Sequence, residues 1–137
     1  MAEFPSDFTC YQHRVSYGET DAMGVLYYAE YIHIFERARS EHIRNHGMSY
    51  NVVEERGILL PVRKVDCRYR HPARFDDLLQ VNVAIDKMRK ASIHFVYEIY
   101  NETKDTLLAT GSTEHACVNK AGRPVGAPQW LKDLFGK

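Results

Sequence analysis

The sequence predicts an α+β domain, one long helix set against an antiparallel sheet, and two periodicities carry that prediction. Between Val25 and Asn45 the apolar residues recur at threes and fours. After Gly57 they recur at twos nearly to the end of the chain. A third observation bounds the size: 137 residues, 45% of them hydrophobic, can bury one core without a disulfide or structural metal. Residues 1–137 read as a single domain.

The elements follow in order. Thr9 to Tyr17 places Tyr11, His13, Val15 and Tyr17 on one side, the pattern of a first strand. Gly18 to Gly24 is a polar, turn-rich loop. The helix then runs from about Val25 to Asn45, with Tyr28, Ile32, Phe35, Arg39 and Ile43 on one stripe and Gly47 as its stop. That is roughly five turns. Glu36 and Arg39 face inward by spacing, which suggests a structural ion pair or an interface contact. A short helix is expected over Ser49 to Arg56, ending at Gly57. Four strands in hairpin succession come next. Val65, Cys67 and Tyr69 alternate with charged residues, then Leu79 to Ile85, Ile93 to Ile99, and Leu107 to Asn119. Such alternation predicts one buried and one wetter face, the mark of antiparallel pairing. Pro128 to Phe135 suggests a last short helix. A helix apolar on several sides needs a curved sheet wrapped around it.

Composition excludes several classes. Lys+Arg and Asp+Glu both number 18, so the basic surplus of a nucleic-acid binder is absent, and near-zero net charge favours self-association. Cys10, Cys67 and Cys117 are odd in number and widely spaced, which fits buried thiols rather than a disulfide framework or zinc site. The first residues carry neither a basic nor an apolar leader pattern, and no apolar run approaches a membrane span, so a cytoplasmic domain without integral membrane association is expected. Phosphate-loop, dinucleotide and serine-hydrolase strings do not occur.

The chemistry lies in Tyr17-Gly18-Glu19-Thr20-Asp21-Ala22-Met23-Gly24-Val25-Leu26-Tyr27-Tyr28, a loop that feeds a carboxylate directly toward a helix start. Two readings of Asp21 are open. It can cap the helix, as Asp often does. Alternatively the free helix amides face a substrate, and Asp21 supplies the base or nucleophile while an amide holds the oxyanion.

Tyr17-x-x-Thr20-Asp21-Ala22-x-Gly24-Val25-x-Tyr27, followed by Ala29-x-Tyr31 and Phe35-Glu36-Arg37-Ala38-Arg39-Ser40-Glu41, resembles the hotdog-fold acyl-CoA thioesterases. The nearest branches are the 4-hydroxybenzoyl-CoA thioesterases and the thioesterases encoded with the Tol-Pal system. The turn Arg70 to Asp77 belongs to the same likeness. The resemblance implies a hotdog domain, a long central helix wrapped by a five-stranded antiparallel sheet. It implies hydrolysis of an acyl- or aroyl-CoA thioester, with acyl-carrier-protein thioesters as another possible substrate. A hotdog protein that only binds acyl-thioesters is the alternative.

Position by position, the resemblance makes Asp21 the catalytic carboxylate and gives Tyr28 the helix N-terminal amide that polarises the carbonyl. The Tol-Pal branch usually has His where Tyr28 stands. Tyr17 would orient the carboxylate or water, or else fill the core at a strand end. Met23 and Gly24 are assigned to substrate contact. Lys87, Arg89 and Lys90 form either a solvated turn or a clamp for the coenzyme A phosphates. No cofactor is implied, coenzyme A being part of the substrate. A homodimer with a continuous sheet is implied, or a tetramer of two such dimers, with active sites between subunits.

His42 and His46 stand four apart on the helix, a ligand spacing, but no third ligand is evident and the reading is no metal. His33, His94 and His115 read as packing or surface residues.

Overall fold

The period-two segments become β1 (Phe8–Arg14), β2 (Val62–Tyr69), β3 (Leu78–Met88), β4 (Ser92–Tyr100) and β5 (Leu107–Ala116). The helical segments become α1 (Glu30–Asn45), α2 (Tyr50–Glu55) and α3 (Gln129–Leu134). This is a computed structural model, describing residues 3–136. All strands join one antiparallel five-stranded sheet in the order β1-β3-β4-β5-β2, with α1 packed on the face of β1 and β3. The α+β hotdog architecture expected from the sequence is present.

The packing is close under the middle of α1. Phe35 stacks on Tyr97 at 4.2 Å between ring centroids. Gly111 on β5 makes this possible, because a Cβ there would run into Phe35 Cζ and Cε2 and lie 3.0 Å from Asp66 O. Ile34, Phe35, Ala38, Leu79, Val81, Ile93 and Ile99 are fully buried around this contact. The glycine is there for the approach of a ring, not for a turn.

Four expectations need correction. The hairpin succession holds for β3, β4 and β5 but not for β2, which pairs with β5 rather than β3, while β3 pairs on its other side with β1. The first strand stops at Arg14, and Tyr17–Glu19 form a single 3₁₀ turn instead. The main helix begins at Glu30, not Val25. The reason is competition for backbone groups. Val25 bridges to Arg74, Leu26 N–H donates to Ala73 O at 2.8 Å, and Tyr27 N–H donates to Glu19 O at 2.8 Å. A segment bonded sideways cannot also make the helix ladder. Finally, β2 buries neither face. Val62, Val65 and Tyr69 are all exposed, because α1 packs over β1 and β3 toward the opposite edge of the sheet and β2 is itself an edge.

Candidate active site

The loop around Asp21 is anchored from beneath by Glu19. Its buried carboxylate accepts from Ser16 N–H (2.7 Å) and Ser16 Oγ (3.0 Å), and lies 3.0 Å from buried His13 Nε2. Burial pushes the Glu19 carboxyl up, but the Ser16 amide and His13 outweigh it and hold the group below its ordinary range. Arg37 adds a longer contact, 3.8 Å from Glu19 Oε2. This network fixes the strand end from which the loop springs.

Above it, residues 21–25 close on themselves. Asp21 N–H donates to Val25 O and Gly24 N–H to Asp21 O, both at 2.9 Å. The turn needs a left-handed residue, and Gly24 supplies it at φ 76°. Met23 N–H donates to Asp21 Oδ1 at 2.9 Å, with a weaker approach from Val25 N–H at 3.4 Å. These bonds fix the carboxylate through one oxygen. Oδ2 accepts no hydrogen bond among the described residues. Asp21 caps its own turn; it does not cap α1.

The start of α1 is correspondingly open. Its N-cap is Ala29, whose side chain can accept nothing. Among the described residues the N–H groups of Tyr28 and Ala29 have no acceptor. Tyr28 therefore stands just before the N-cap, not within the first turn as the sequence reading placed it. Tyr69 Oη donates to Tyr28 O at 2.9 Å and ties this corner to the end of β2. Burial, then the neighbouring Cys67, holds the Tyr69 phenol well above its usual range. A hydrogen bond with Tyr28 and the Asp21 charge likewise raise Tyr27.

Asp21 and Tyr28 line one open cavity of about 290 Å³, with Tyr31, Tyr69, Arg70 and His71. It is an apolar, largely aromatic hollow with a carboxylate and two cationic or titratable side chains at its edge. A larger cavity of about 420 Å³ lies further along α1, lined by Glu36, Arg39, Tyr50 and His115 among others. There the expected Glu36–Arg39 ion pair is absent among the described residues: Glu36 is exposed, and Arg39 Nη1 is buried without a hydrogen-bond partner. His115, fully buried, is held near pKa 4 by desolvation, with Nδ1 2.9 Å from Leu60 O and Nε2 2.8 Å from Thr113 Oγ1. The larger cavity contains no residue of the Asp21 loop.

The other sequence candidates are distributed unevenly. Met23 and Gly24 are exposed in the turn itself. Tyr17 is 79% exposed and edge-on to Phe75, so it neither fills the core nor lines the cavity. Lys87, Arg89 and Lys90 are exposed at the far end of β3. Leu78, at its other end, is next to the Asp76–Val15 junction beneath the Asp21 loop. Eleven residues of strand separate them, roughly 33 Å. One chain does not bring that hairpin to Asp21. Tyr31, Tyr69, Arg70 and His71 were not singled out as site residues from the sequence. Tyr31, Arg70 and His71 lay within the stretches that carry the family resemblance, but neither that nor the alternation of β2 could show that Tyr69 turns toward Tyr28. Cys10 is exposed and Cys67 half-buried, so only Cys117 matches the buried-thiol expectation.

Comparison with known proteins agrees with this architecture. Residues 15–135 match the profile of the Thioesterase-like superfamily. The Escherichia coli acyl-CoA thioester hydrolase YbgC is 39% identical over 106 residues, covering 77% of this chain and 78% of that protein. The Haemophilus influenzae acyl-CoA thioesterase YbgC is 34% identical over 124 residues, covering 89% of this chain and 90% of its own. Among solved structures, the Staphylococcus aureus DHNA-CoA thioesterase superposes with a TM-score of 0.85 at 31% identity, over 92% of this chain and 85% of that one.

Proposed function

This chain belongs to the Thioesterase-like superfamily and is a thioester hydrolase, and from that premise we propose that it cleaves acyl-CoA to the free acid and coenzyme A with Asp21 as the catalytic carboxylate. The observation that carries this reading is a pairing within one cavity: a carboxylate oxygen that accepts no hydrogen bond, and a Tyr28 amide that has no acceptor, among the described residues. In the proposed reaction Oδ2 either attacks the carbonyl, forming a mixed anhydride that water then hydrolyses to the free acid, or takes the proton of a water that attacks the carbonyl directly. The Tyr28 N–H receives the developing oxyanion, and the coenzyme A thiolate leaves and is protonated. The Tyr28 phenol is not needed for that role, so the difference from the histidine of the Tol-Pal branch leaves the backbone donor in place.

The decisive variant is Asp21→Asn. Asn still accepts from Met23 N–H and so keeps the turn, but it lacks the charge and basicity. Turnover of acyl-CoA should fall by roughly 10²-fold or more with an unchanged melting temperature. Full retained turnover would assign Asp21 to the turn alone. A panel of aromatic, short-chain and long-chain acyl-CoAs then identifies the acyl group.

The reading extends to assembly. The free edge of β2 carries unpaired backbone groups and exposed Val62, Val65 and Tyr69, a combination proteins usually cover. Pairing two β2 edges antiparallel sets the Tyr69 end of one copy beside the Val62 end of the other. Val62 shares a sheet row with His115, Ile93 and Met88, the row that leads to Lys87, Arg89 and Lys90. A homodimer of this kind carries the basic hairpin of one copy toward the Asp21 cavity of its partner, where it can contact coenzyme A phosphates. Solution mass at micromolar concentration should be that of a dimer or a dimer of dimers; a strict monomer would remove the clamp from the proposal.

A further inference from the structure

The far end of α1 holds a group of side chains that the hydrolytic reaction does not use. His42 and His46 lie one turn apart on the helix, and Asp7, just ahead of β1, reaches across to them. Their ligand atoms all lie within 4.8 Å of one another. The third partner missing from the sequence pattern is thus supplied by a residue 35 positions upstream of His42.

The hydrogen bonds around these rings fix which atoms face inward. His46 Nδ1 is 2.8 Å from His42 O, and a carbonyl only accepts, so Nδ1 carries the hydrogen. In the neutral ring Nε2 is then a lone pair, yet it stands 2.9 Å from Asp7 Oδ2. Two acceptors at that distance require a positive centre between them, either a proton or a metal ion. His42 Nδ1 is held by Thr9 Oγ1 at 2.8 Å, which Asn45 Nδ2 also approaches at 3.1 Å, and this fixes the orientation of the His42 ring. Outer-shell bonds of this type orient metal-binding imidazoles and set their tautomers. Phe135 stacks parallel to His42 and edge-on to His46, walling both rings in place. A cavity of about 240 Å³, bordered by Asp7, His42 and Phe135, gives an ion a way in and room for a water ligand.

We propose that Asp7, His42 and His46 form a binding site for a divalent transition cation of the zinc class. Two imidazoles and one carboxylate are borderline and hard donors suited to Zn²⁺ or Co²⁺, and too few oxygens for Ca²⁺. Tetrahedral bonds of about 2.0–2.1 Å put ligand atoms about 3.3 Å apart, so the widest pair closes by at most about 1.5 Å. The Asp7 side chain, 65% exposed, can make that shift. The site lies at the other end of α1 from Tyr28, 16 residues or about 24 Å away, so its role is to fasten the segment before β1 to the helix end.

The test uses the full chain, freed of metal by chelator and titrated with Zn²⁺ and, for its visible d–d absorption, Co²⁺. One equivalent should bind, release protons and raise the melting temperature. His46→Gln and Asp7→Asn change partly exposed side chains and should leave the fold intact. Each should weaken binding by more than the ~10- to 100-fold typical of outer-shell changes. His33→Gln, in the exposed first half of α1, should bind as the parent does. No metal-dependent shift in the parent would overturn the proposal. So would parent-like affinity in both variants, or loss in His46→Gln with Asp7→Asn unaffected, which would reduce the site to a histidine pair.

Discussion

The two ends of α1 are finished in opposite ways. At its C-terminus every device for closing a helix is used: Gly47 turns left-handed at φ 102°, His46 and Gly47 amides return to Ile43 and Arg44 carbonyls, and the His46 ring takes His42 O. At its N-terminus Ala29 caps nothing, and the Tyr28 and Ala29 amides have no acceptor among the described residues. The chain can cap a helix when it needs to, for Ser49 accepts from Val52 N–H at the start of α2. Leaving α1 uncapped next to an aromatic cavity costs stability, by the usual ~0.5–2 kcal/mol of a missing cap. The difference shows where to look for chemistry: at the end whose donors are still available to a substrate.

The sharpest way to break this comparison is at Tyr28. Tyr28→Pro removes an N–H that has no acceptor among the described residues, so folding loses none of the hydrogen bonds seen there. Loss of an oxyanion donor should cost on the order of 10²- to 10³-fold in kcat. Tyr28→Phe, which keeps the amide, should stay within several-fold. If the Phe variant is the inactive one, the phenol carries the chemistry and the open helix end is incidental.

The next effect belongs to the closed side of the molecule. His115 lines the larger cavity and titrates near 4 when folded, against 6.5 when exposed. A folded-state pKa depressed in a base means that the unfolded chain takes up the proton first as pH falls. Stability from this residue is complete above about 6.5 and is lost down to about 4, on the order of 3 kcal/mol in all. His115→Gln should flatten the unfolding free energy across that window; an unchanged slope would mean that other groups control acid unfolding.

The smallest expected effect lies midway between the two ends. Gly111→Ala forces Phe35 off the sheet and should destabilise by roughly 1–3 kcal/mol in chemical denaturation. Because Phe35 supports the middle of α1, the folded enzyme should keep its kcat within a few-fold. A selective loss of turnover would show that the open end depends on helix position more than its local bonds suggest.

By itself the sequence determined the strands, the three helices and the loop that carries Asp21. Those features are written in residue periodicity and in turn chemistry, which depend on neighbours a few positions apart. That the Asp21 loop is turn-rich was legible, but that Asp21 accepts within its own turn and leaves α1 uncapped was not. Tertiary structure alone decided four other things. The start of α1 moved to Glu30 because Val25 and Leu26 are bonded to Arg74 and Ala73, nearly fifty residues away. Strand β2 became an exposed edge because β5 took its other side and β1 had already taken β3. Tyr69 and Arg70 joined the cavity of Asp21 only through that edge. Asp7 met His42 and His46 because β1 runs beside the end of α1. Each of these is a competition for one hydrogen-bonding or packing partner between segments distant in the chain, and its outcome depends on which segment arrives in space, not on any local preference.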